Sequence, residues 1–209
     1  LEALAAAMTP RTRLILLNSP HNPTGIVFTP AELAEVARIA QENDVLVISD
    51  EAYEHLWFDD HEHVPISTLP GMWERTITVG SGGKTFSLTG WKIGWASGPP
   101  ELIAAVRVVR QHLSYVSGGP FQYAIAHGLG LGDDYYDDFR LDLTVKRDLL
   151  SSGLADLGFG VVEPQGTYFV STEVRPLGYT DGLAFCRDLP GLAGVVAIPH
   201  QAFCDDTSP

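Results

Sequence analysis

The sequence predicts an α/β protein: a three-layer, mainly parallel sheet with helices on both faces, followed by part of a smaller α+β C-terminal domain. Three observations predict it. Up to about Leu113, short apolar runs of strand length alternate with amphipathic helical stretches, the pattern of βαβ units. Each run ends in a polar or glycine-rich turn, where ligands sit in open parallel sheets. From Phe159 onward the apolar runs become short and strand-like around one helical stretch. The boundary is expected inside a long helix near Lys146, giving residues 1–145 and 146–209.

Leu1 to Ala7 is already helical in pattern, and Arg13 to Asn18 (RLILLN) reads as a strand buried on both faces. The turn Ser19-Pro20-His21-Asn22-Pro23-Thr24-Gly25 excludes helix through its two prolines. Asn22 stands before Pro23 and is pushed towards extended backbone, which holds its amide in one direction. Thr29 and Pro30 open a helix whose apolar stripe is Leu33, Val36, Ala37 and Ala40. Val45 to Ser49 is the next strand and delivers Asp50-Glu51-Ala52-Tyr53. The run Asp59-Asp60-His61-Glu62-His63 has no further ligands at metal-site spacing and reads as an acidic solvated loop.

Arg75 to Val79 is a third strand feeding Gly80-Ser81-Gly82-Gly83-Lys84-Thr85, and Ile93 to Ser97 is a short fourth. In that turn the glycines are expected to allow positive φ or close approach of a bound group. Pro99-Pro100-Glu101 starts a helix carrying Leu102, Val106 and Val109; Phe121 to Leu129 and Asp133 to Leu154 are two more. In the last third, strands are expected at Phe159 to Val162, Thr167 to Ser171 and Val195 to Ile198, with a helix at Asp181 to Asp188. Tyr168 reads as core packing. Tyr115, Gly118 and Gln122 fit a pocket rim and plain helix-start packing equally well.

Composition narrows the partners. A 209-residue chain with 45% hydrophobic and 19% charged residues is long enough to bury a core. A formal net charge of -13 leaves no basic stripe for nucleic acid, and no apolar run reaches membrane-span length. The two cysteines, Cys186 and Cys204, are too few for a disulfide framework or a zinc site and are expected to be buried small hydrophobes in a reducing, cytoplasmic setting. The start at Leu1 inside a helical pattern and the stop at Pro209 without a closing element lead to the expectation of a fragment cut at both ends.

Lys84 carries three readings. A solvated surface lysine is the commonest fate of that residue type. A phosphate loop is prompted by Gly83-Lys84-Thr85 but needs a glycine where Thr78 stands. The third is an amine that condenses with an aldehyde cofactor while the polar turn grips the cofactor's phosphate. Pyridoxal 5′-phosphate makes demands that this chain meets elsewhere. A carboxylate, Asp50, keeps the pyridine nitrogen protonated. An amide and a phenol, Asn22 and Tyr53, serve the ring's phenolic oxygen. Ser81, turn N–H groups and Lys92 serve the phosphate.

Asn22-Pro23-Thr24-Gly25, Ser49-Asp50-Glu51-Ala52-Tyr53 and Ser81-Gly82-Gly83-Lys84 with Thr89-Gly90-Trp91-Lys92-Ile93-Gly94-Trp95 resemble the three cofactor motifs of the class I/II aminotransferases, enzymes of fold type I. His21 and Lys92 are similar to the branch of kynurenine and glutamine aminotransferases and cysteine-S-conjugate β-lyases. Arg175 to Tyr179, Ala197-Ile198-Pro199 and Ala202-Phe203-Cys204 resemble actinobacterial N-succinyldiaminopimelate aminotransferases. The resemblance implies an enzyme that moves an amino group from an amino acid to a 2-oxo acid, with Lys84, Asp50 and Tyr53 catalytic and Asn22, Ser81 and Lys92 holding the cofactor. It also implies a homodimer when full length, with the substrate-carboxylate arginine and several cofactor contacts outside this stretch. The alternatives are β-elimination on the same scaffold, a P-loop nucleotide-binding domain, and a non-catalytic regulator built on an aminotransferase domain.

Overall fold

The computed structural model describes residues 1–116 and 118–204; Ser117, within the stretch Ser114 to Pro120 whose two glycines and proline read as a loop, and the chain end from Asp205 lie outside the described residues. After a short helix α1 (Glu2–Ala7), four strands build one sheet in the order β1 (Leu14–Asn18), β2 (Leu46–Asp50), β3 (Thr76–Ser81), β4 (Gly94–Ser97). The pairs β1/β2 and β2/β3 are parallel and β3/β4 is antiparallel. The mainly parallel α/β expectation therefore holds, with one reversed edge strand, because only a short glycine-rich segment separates β3 from β4.

Helix α2 (Pro30–Glu42) forms where expected: Thr29 Oγ1 accepts from the Glu32 N–H and the Glu32 carboxylate accepts from the Thr29 N–H, a complete capping box worth about 1 kcal/mol. Its buried stripe, Leu33, Val36, Ala37, Ile39 and Ala40, packs with Ile15, Leu17, Val47, Ile66 and Met72 into one core. The strand β1 alternates: Ile15 and Leu17 face that core, whereas Leu14 and Leu16 are exposed. Burial on both faces is thus not met among the described residues, since no described element covers the Leu14–Leu16 side.

Helices α3 (Gly82–Thr85), α4 (Pro100–Leu113), α5 (Gly119–Gly128) and α6 (Asp133–Asp156) follow. One face of α6 grips the 54–59 segment. Tyr136 stacks on His55 at 4.1 Å, Arg140 lies 4.0 Å over the Trp57 ring, and the 8%-exposed Arg147 side chain covers Phe58 while pairing with Asp59 at 2.6 Å. Residues 136, 140 and 147 share a helical face, so one stripe holds His55, Trp57, Phe58 and Asp59 in place.

The last third corrects the sequence reading in two places. A small antiparallel pair joins β5 (Gly160–Val162) to β6 (Ser171–Glu173), but residues 167–170 are not a strand: Thr167 sits at φ +67°, a left-handed turn that a ladder does not accommodate. Val195 to Ile198 is also not a strand; its β-branched residues find no ladder partner among the described residues. Helix α7 (Gly182–Ala193) runs beyond the expected Asp188 and contains Pro190. Cys204 is exposed rather than buried, and Cys186 is half-buried.

Candidate active site

The site lies beyond the carboxyl ends of β1, β2 and β3. Asn18, at the end of β1, ties the first two ends together. Its amide donates to the Asp50 carbonyl at 2.9 Å, and its oxygen accepts from the Asn22 N–H at 2.9 Å. The proline turn is thereby anchored to β2 with Asn22 near Asp50. Sequence reading passed over Asn18; a polar residue closing an apolar strand was the available signal.

Asp50 accepts from the Ala52 N–H at 3.2 Å, a tight turn that brings Tyr53 back over the strand end. Tyr53 is buried, 3% exposed. Burial raises its pKa strongly, the hydrogen bond and charge of Tyr168 and the Asp50 carboxylate add to this, and a hydrogen bond from Asn22 opposes it. Asn22, Asp50 and Tyr168 therefore all act on the Tyr53 phenol. Lys84 in α3 reaches the same place: its Nζ lies 5.6 Å from the Tyr53 ring centre and 5.4 Å from that of Tyr168, and donates to the Tyr168 hydroxyl at 2.8 Å.

Tyr168 is the main addition. Expected to be core packing, it is 45% exposed with its hydroxyl between Lys84 Nζ and the Tyr53 hydroxyl, the latter 3.4 Å away. It is separated from Lys84 by 84 residues, and no local pattern announces such a contact.

On the other flank, Ser81 ends β3 opposite Gly94 of β4 and takes the N-cap position of α3 without making a side-chain cap. The Gly82 N–H donates to the Ile93 carbonyl at 3.1 Å, which brings Lys92 beside the Ser81–Gly82 turn. Lys92 is exposed, adopts φ +57°, and makes no side-chain bond among the described residues. The first N–H groups of α3 after Gly82 have no acceptor within the helix. Ser81, Lys92 and these groups form a flank suited to an anion.

The glycines do not take the positive φ that was one of the two reasons expected for them. None of Gly80, Gly82 and Gly83 has positive φ. A Cβ on Gly80 would stand 2.3 Å from the Trp95 ring, and one on Gly82 would meet Ile125 at 2.7 Å. These positions are bare because other side chains lie on them. The chemistry of the donor set is what fits pyridoxal 5′-phosphate: the Lys84 amine with a carboxylate, a phenol and an amide on one flank, and a hydroxyl and a cation on the other.

In the 59–63 loop Asp59, Asp60 and Glu62 are exposed, as a solvated acidic loop requires, and only His63 departs from that reading. The His63 side chain is 5% exposed and its Nε2 lies 3.0 Å from the buried Glu51 carboxylate, which also accepts from the Ser49 hydroxyl at 2.8 Å. No group of side chains able to hold a metal ion occurs among the described residues.

Residues 1–204 match the family described as aminotransferase class I and II. The chain belongs to the class I and II aminotransferases. It is 52% identical, over 98% of its length and 51% of the relative's, to the probable N-succinyldiaminopimelate aminotransferase DapC of Mycobacterium tuberculosis. It is 42% identical to the kynurenine–oxoglutarate transaminase of Dictyostelium discoideum, over 98% of its own length and 52% of that protein's. The solved N-succinyldiaminopimelate aminotransferase of Mycobacterium tuberculosis superposes with a TM-score of 0.96 at 52% identity, covering 99% of this chain and 54% of that one. The chain thus spans about half the length of the family members it matches.

Proposed function

We propose that this chain is the cofactor-holding part of a pyridoxal 5′-phosphate-dependent aminotransferase, which moves an amino group from an amino acid to a 2-oxo acid. The observation that carries the reading is the convergence of the Lys84 amine with Tyr53, Asn22 and Asp50 at one strand edge, in a chain of this family. When bound, the cofactor supplies an electron-accepting ring that stabilises negative charge at the donor's α-carbon.

The chain's own residues do the rest. Lys84 Nζ would hold the cofactor through its aldehyde and, as a free amine, would take the proton from the donor's α-carbon and hand it back. Asp50 would favour the protonated ring nitrogen. Tyr53, kept protonated by burial, and Asn22 would serve the ring's phenolic oxygen, while Ser81, Lys92 and the start of α3 would hold the phosphate. In the full-length protein Lys84→Ala is expected to abolish the visible cofactor band and lower amino transfer by at least about 10²-fold. A band unchanged in that variant would refute the assignment.

The substrate proposed is of the N-succinyldiaminopimelate type, supported by the higher identity to that relative than to the kynurenine enzymes; a panel of amino donors against 2-oxoglutarate tests it. Pyruvate and thiol release from a cysteine conjugate would mark the β-lyase alternative. The P-loop alternative loses its metal-binding hydroxyl, because Thr85 is 2% exposed and donates to the Ser81 carbonyl. The division at Lys146 belongs to the proposal, supported by β5 and β6 forming a sheet of their own. So does a cytoplasmic homodimer for the whole protein; no described helix is long and apolar enough to cross a membrane.

A further inference from the structure

Taking Lys84 as the reactive amine, as proposed above, we infer that Tyr168 is a catalytic residue whose phenolic oxygen holds the Lys84 amine while it is detached from the cofactor. An amine that is displaced and then moves a proton must stay within a few ångströms of its target. It sits on a flexible four-carbon stem with many rotamers, so a partner is needed to hold it in place. Among the described residues, the Tyr168 hydroxyl at 2.8 Å is the acceptor the amine has.

The phenol is committed to this task. Its oxygen accepts from Lys84 at 2.8 Å and from the Tyr53 hydroxyl at 3.4 Å, which engages its lone pairs and leaves its own proton for the open side. Without cofactor, Tyr53 gives its one proton to Tyr168; with cofactor bound that proton would turn to the ring's phenolic oxygen, and the Tyr168 oxygen would keep the Lys84 amine as its donor.

The backbone is built to place it. Thr167 is fully buried at φ +67°, a conformation costing on the order of 1 kcal/mol that persists where surroundings over-determine it. They do so here through five hydrogen bonds. The Gln165 and Gly166 N–H groups donate to the Gly25 carbonyl at 3.0 and 2.8 Å, the Phe58 N–H to the Gln165 carbonyl at 2.8 Å, and the Thr167 N–H to the Leu56 carbonyl at 2.8 Å. The Val27 N–H donates to Gln165 Oε1 at 2.9 Å. The segments gripped are those that follow Asn22 and Tyr53, so Tyr168 is registered against the same residues that would hold the cofactor.

The test is Tyr168→Phe in the full-length protein, which removes one oxygen and keeps the ring. In the cofactor-free protein, the rate of Lys84 methylation by formaldehyde and cyanoborohydride, read by peptide mass spectrometry, is expected to rise at least about threefold, with Lys92 and Lys146 unchanged. With cofactor restored, kcat is expected to fall about tenfold, donor KM to stay within about twofold, and the isotope effect with an α-deuterated donor to increase. A Phe variant with wild-type melting, unaltered Lys84 methylation and an unaltered isotope effect overturns the inference. That result would leave the reading of Lys84 standing, since that reading fails separately, on a visible band surviving in Lys84→Ala.

Discussion

Glu54 shows how single side chains behind the site respond to pH. Burial pushes its carboxyl up to about 7 from an ordinary 4.5, the neighbouring Glu51 charge adds to this, and His63 offsets part of it. Because the folded-state value is raised, the stability Glu54 contributes is fully present below pH 4.5 and is lost as pH rises through about 7. The loss is about 3 kcal/mol. Glu54→Gln is therefore expected to raise the melting temperature at pH 8 and leave it nearly unchanged at pH 4.5; an equal effect at both would show that Glu54 does not titrate in this window. At this scale the sequence was legible where a residue's role is written next to it. Asn22 before a proline, Asp50 at a strand end and Lys84 after a glycine turn each carried a local cue. Tyr168 and His63 carried none: their partners, Lys84 and Glu51, are brought to them by folding, and Thr167 adopts a left-handed backbone that nothing in its residue type predicts.

Elements were legible to the extent that burial and capping are local. The Thr29 capping box and the apolar stripe of α2 are visible in the letters, and so are the runs that become β1, β2 and β3. Val195 to Ile198 misled because β-branched composition describes a surface that suits pairing, while a strand also needs a partner. The turn after β3 misled differently, since its glycines answer to Trp95 and Ile125, neither of which a reader of the turn alone would connect to it. A prediction follows from that contrast. Gly80→Ala drives a methyl into the rigid Trp95 ring directly across the β3/β4 ladder, and overpacking of this kind costs about 1–3 kcal/mol. A methyl on Gly82 meets Ile125 Cδ1 at 2.7 Å and its Cγ1 and Cγ2 at 3.1 Å, a milder overlap than the 2.3 Å approach to the Trp95 ring. Thermal denaturation is expected to rank Gly80→Ala well below Gly82→Ala, and the reverse order would contradict the packing role given to Trp95.

Over the whole molecule, the sheet is finished on one face and open on the other. The α2 side carries the core, while Leu14 and Leu16 of β1 stand 42% and 71% exposed in a chain spanning about half of its relatives. We expect that face to be covered in the full-length protein. Leu16→Ser should then lower the melting temperature of the full-length protein by several degrees and barely change that of residues 1–209 alone; equal shifts would mean the face stays bare. The α/β class could be read because strand–helix alternation is a property of the chain, whereas the cover over β1 is a matter of tertiary assembly. The convergence of three strand ends on Lys84 is the claim on which the functional account stands. Its most direct test is to load the full-length protein with pyridoxal 5′-phosphate, reduce it with borohydride and map the labelled peptide. The account predicts a single pyridoxyl group on Lys84; a label on Lys92 or any other residue, or no label at all, would contradict it.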